Sequence, residues 1–73
     1  MIPALVKPQS IEHIIDIDGY KVRVFGDMDL EKRAITASVT LVDGKPANPK
    51  MDFDIKRKLH KLGYENYTIT LQY

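Results

Sequence analysis

The chain reads as a small α+β domain of order βββαβ: a four-stranded mixed sheet, an N-terminal meander, and one helix packed on one face. Three observations predict it. A hairpin closed on Asp18-Gly19 has two arms that agree on one register, two further stretches alternate apolar and polar residues, and a stretch between them carries helix start and stop signals.

The hairpin spans Ile11 to Phe25. A two-residue type I′ turn at Asp18-Gly19 sets Ile17 opposite Tyr20, Ile15 opposite Val22 and His13 opposite Val24 on one face. The other face then pairs Asp16 with Lys21, Ile14 with Arg23 and Glu12 with Phe25. One face is apolar with a single histidine and the other is charged with apolar exceptions, so turn chemistry and binary pattern support the same pairing.

Residues 1–9 hold Pro3 and Pro8 around Ala4-Leu5-Val6 and read as an extended N-terminal arm, with residues 10–73 as the single domain. The arm is expected to lie over the domain's own core edge, the alternative being that it reaches onto a partner. Gly26 to Arg33 reads as a charged connection with room for one helical turn. Ala34 to Val42 then alternates, with Ile35, Ala37, Val39 and Leu41 facing one side and Thr36, Ser38 and Thr40 the other, and Asp43-Gly44-Lys45-Pro46 stops the strand.

Asn48-Pro49 reads as a helix start, an asparagine cap before a proline in the first turn. Asp52 and Asp54 lie near the positive end of that helix, Lys58 and Lys61 near the negative end, and Gly63 ends it. Met51, Ile55, Leu59 and Leu62 form its apolar stripe. Asn66 to Tyr73 alternates again as a last strand, with Tyr67, Ile69, Leu71 and Tyr73 inward. The preferred sheet order is 3-2-1-4, which leaves the second sheet face without a helix to cover it.

At 73 residues with no cysteine, the chain has a small core and neither disulfides nor a thiolate zinc site to reinforce it, so burial against a partner is the device left. Eleven basic and ten acidic residues give a net charge of +1, too little for a global field toward nucleic acid or anionic membrane. No apolar run approaches a spanning helix and no signal peptide is evident, so the expectation is a soluble cytoplasmic protein, with no membrane association.

Candidate chemistry is sparse. His13 points into the apolar face, where a hydrogen-bonded core role is the commoner one, and nothing brings Ser10 or Ser38 to a histidine with an orienting acid. Asp27-Met28-Asp29-Leu30-Glu31 lacks the glycine and distal glutamate of a calcium loop and reads as a solvated turn. No enzyme, cofactor or metal assignment follows.

Two surfaces are candidates for binding. On the open sheet face, Ile14, Arg23 and Phe25 form a small apolar centre with a charged rim, extended by Val42, which suits a protein partner or a homo-oligomer. On the outer side of helix 49–62, Phe53 lies near Lys56, Arg57, His60 and Lys61, an arrangement that would stack a base and contact phosphates. For Phe53 the alternative is packing against the Pro46 loop or the arm. The expected function is a non-catalytic protein-interaction or self-associating module using the open face or an edge strand, with nucleic-acid binding by the helix as the alternative.

The order of strands and helix resembles the opening part of a ribonuclease H-like fold, with Asp16 standing for its first acid. The last strand holds no acid for the second magnesium ligand that the resemblance implies. Residues 34–73 also resemble the closing strand, helix and strand of cytosolic domains in cation-efflux transporters, but Ser38 and Thr70 occupy places where that family has metal-binding histidines.

Overall fold

The computed structural model describes residues 9–73. The expected arm falls outside the described residues, except for Gln9, which begins the first strand. Four strands, β1 (Gln9–Ile17), β2 (Tyr20–Asp29), β3 (Ala34–Leu41) and β4 (Thr68–Gln72), form one mixed sheet. Between β3 and β4 the chain makes a 3₁₀ turn (Pro49–Met51), the helix α1 (Asp52–Leu59) and a wider closing turn (His60–Tyr64) that ends on Gly63 at φ 121°.

β1 and β2 pair in the expected register, from Ile17 opposite Tyr20 to Glu12 opposite Phe25, and the pairing continues to Gln9 opposite Met28. The turn requires positive φ at both central residues, which Asp18 (50°) and Gly19 (84°) supply. Asn48 caps the helical segment as its position predicts, its side-chain oxygen accepting from the Lys50 N–H at 2.9 Å.

Three expectations are corrected. The sheet order is β1-β2-β3-β4, so β4 lies beside β3 and parallel to it, where the sequence reading preferred β1. Matching side chains explain the choice: on β3, Ile35 meets Ile69 and Ala37 meets Leu71 on one face, while Thr36 meets Thr70 and Ser38 meets Gln72 on the other. On β1 the same strand would have run beside Glu12 and Asp16. The β3–α1–β4 connection thus becomes a simple crossover between adjacent parallel strands.

Second, Gly26 to Asp29 belongs to β2, and the turn is confined to residues 30–33, where Arg33 takes φ 51° and the Asp29 carboxylate accepts from the Lys32 N–H at 3.0 Å. Third, Leu62 leaves the apolar stripe and stands 55% exposed, because the helix has already widened toward Gly63.

The core lies between the sheet and α1. Ile15, Ile17, Val22, Val24, Met28, Ile35, Ala37, Val39 and Ile69 from the sheet meet Ile55 and Leu59 from the helix, with Ala47 beneath the loop. Among the described residues no polar or charged residue is buried. Burial of Ile35, Ile55 and Leu59, none measurably exposed, contributes about 2 kcal/mol each.

Candidate interaction surface

The strand pleat assigns the open face. Side chains two residues apart share a face, so the residues between the buried positions of β1 and β2 point away from α1: Ser10, Glu12, Ile14 and Asp16, then Lys21, Arg23, Phe25 and Asp27. β3 and β4 add Thr36, Ser38, Thr40, Thr68, Thr70 and Gln72.

Ile14, Arg23 and Phe25 are neighbours on this face, as expected. Arg23 lies directly across from Ile14 and reaches along the face, its guanidinium carbon 4.4 Å from the centroid of the Phe25 ring. Glu12 holds the guanidinium from β1, with the Arg23 Nε–H donating to its Oε2 at 2.6 Å and a second ion-pair contact from Nη2. Arg23 therefore half-covers Phe25, an arrangement contributing about 0.5–1 kcal/mol at an exposed site. Ile14 is left as the prominent apolar side chain of the centre at 62% exposure.

Val42 sits apart from this centre. Its N–H donates to the Lys21 carbonyl at 3.1 Å, so it extends β3 toward the hairpin tip, two side-chain rows from Phe25. There it is exposed and lines a shallow groove of about 350 Å³ with Gly19, Tyr20, Lys21, Leu41 and Asp43.

The helix surface is less basic than its sequence. Phe53 stands out at 72% exposure, so packing against the domain is not its role here. Lys56 is committed to Asp52, one turn back, at 2.9 Å. Arg57, Lys58 and Lys61 line a cleft of about 240 Å³ together with Asp16, Ile17, Asp18 and Asp54, while His60 is half-buried.

Two polar contacts fasten the helical segment at both ends. His13 Nε2 lies 2.8 Å from the Tyr64 hydroxyl, with the rings edge to face, which ties the closing turn to β1. Tyr73, just past β4, donates its hydroxyl to Asp52 at 2.6 Å. That bond, assisted by Lys56, holds the Asp52 carboxyl below its ordinary value, while burial and the same bond push the Tyr73 hydroxyl up. Tyr73 lies on the helix side of the sheet, as its alternation predicts, but stays exposed; its bond to Asp52 joins positions 21 residues apart and has no local signal.

No group of three or more metal-ligating side chains exists among the described residues, and no helix there is long and apolar enough to cross a membrane. No family model, curated protein or solved structure matches this chain.

Proposed function

We propose that the chain is a non-catalytic protein-interaction module that associates, first of all with itself, through its open sheet face and the edge strand beside it. The observation that carries this reading is Ile14: an exposed apolar side chain on a largely charged and polar face, on a strand with no neighbour on its outer side among the described residues. A small apolar centre with a charged rim is the composition of a protein interface. Light scattering after size exclusion at two protein concentrations tests it. A dimer that Ile14→Asp dissociates while the circular dichroism spectrum holds supports the reading; a dimer indifferent to that substitution counts against it.

Nucleic-acid binding is the second reading, favoured by Phe53, the most exposed aromatic side chain described. It ranks behind because the neighbouring cations share their cleft with carboxylates. Its signature would be oligonucleotide binding that falls steeply with salt.

A further inference from the structure

The geometry points to the partner and the register of this association: a second copy of the chain, joined along β1 with the two strands antiparallel about a two-fold axis through His13. The inference rests on the association reading and deepens it.

Among the described residues β1 is an open edge, because β4 lies beside β3. In a two-residue hairpin the pair next to the turn, Ile17 and Tyr20, exchanges both backbone bonds, so Ile15, His13 and Ile11 also direct theirs toward β2. Ser10, Glu12, Ile14 and Asp16 then direct their N–H and C=O groups outward. A flat run of outward backbone groups is a template for another strand.

Charge selects the register. In a two-fold antiparallel pairing, faces match only when the axis passes through a residue, and most choices oppose acids. An axis at Ile14 sets Glu12 against Asp16, an axis at Glu12 or Asp16 sets that residue against itself, and an axis at Ile15 brings Glu12 to Asp18. An axis at Ile11 pairs only residues 9–13 of the strand. At His13 all nine residues of β1 are paired over about 31 Å, with no like charges opposed. Glu12 meets Ile14, Ser10 meets Asp16, Ile11 meets Ile15 and Gln9 meets Ile17 of the second copy.

Apolar side chains meet on both sides of the seam. On the open face, Ile14 and its symmetry mate become diagonal neighbours about 7 Å apart, within side-chain reach, as do the two Glu12 carboxylates, each already paired with its own Arg23. On the helix side, half-buried Ile11 is covered by the second Ile15. β4, the other edge, is five residues long with threonines on its open face, and gives a shorter seam.

Because the chain has no cysteine, introduced thiols report without background. In the full chain under mild oxidation, His13→Cys is expected to link to its own copy, since the axis residue faces itself at about 4.5 Å between Cα atoms. If losing the Tyr64 contact unfolds that variant, exposed positions serve: mixing Ser10→Cys chains with Asp16→Cys chains should give mixed dimers over like dimers by roughly tenfold. A light-scattering dimer in which mixed and like dimers form equally, or in which Thr70→Cys links instead, overturns the β1 seam and leaves the association reading standing. A chain monomeric at every concentration overturns both.

Discussion

Gly26 is the one glycine among the described residues with no room for a side chain. A Cβ built there would stand 2.2 Å from the Thr36 carbonyl oxygen and 2.5 Å from the Ala37 Cα, both backbone atoms of the adjacent strand. β2 and β3 approach each other too closely at this point for any side chain. Gly26→Ala should therefore cost about 3 kcal/mol, against the few tenths expected for an exposed surface change, measured as a shift in the urea midpoint at unchanged slope. The Asp52–Tyr73 bond makes a second prediction. With its folded value lowered below 3.8, Asp52 contributes stability at higher pH that is lost as pH falls through that folded value. Tyr73, raised above 10.0, contributes stability that is lost as pH rises past 10. Carboxyl titration by NMR should show the Asp52 midpoint moving up in Tyr73→Phe, since the Tyr73 bond is the largest of the contributions that lower it.

At the scale of elements, what was legible in the sequence follows the range of the signal. The hairpin register was readable because Asp18-Gly19 and the alternation on either side are local and redundant. The helix start was readable because Asn48 and Pro49 are adjacent; Asn48→Ala should cost about 1 kcal/mol in the same denaturation measurement. Gly26 to Asp29 was misread since glycine and two aspartates imitate a turn, although Met28 kept the strand's alternation and is buried. β4's neighbour was hidden because alternation states which side chains face inward, not which edge they meet. Its clue lay in chemistry spread over two distant segments, Thr36 against Thr70 and Ser38 against Gln72. Of the candidate surface, the adjacency of Ile14, Arg23 and Phe25 followed from the register. Arg23 folding over Phe25 did not, since it is a rotamer choice made jointly with Glu12.

For the molecule as a whole, the corrected strand order matters more than any single contact. It moves the open edge from β3, with its hydroxyls, to β1, where Glu12 and Asp16 alternate with isoleucine. Acids at such positions deter indiscriminate pairing. On the proposed seam they also select one register. The same sheet has a second end. β4 carries no ionisable side chain from Thr68 to Gln72, and among the described residues no strand pairs with its outer side. Two copies joined along β1 would present β4 at both extremities of an eight-stranded ribbon. A further two-fold there would not close a ring; it would lengthen the ribbon, turning a dimer into the repeating unit of a linear polymer.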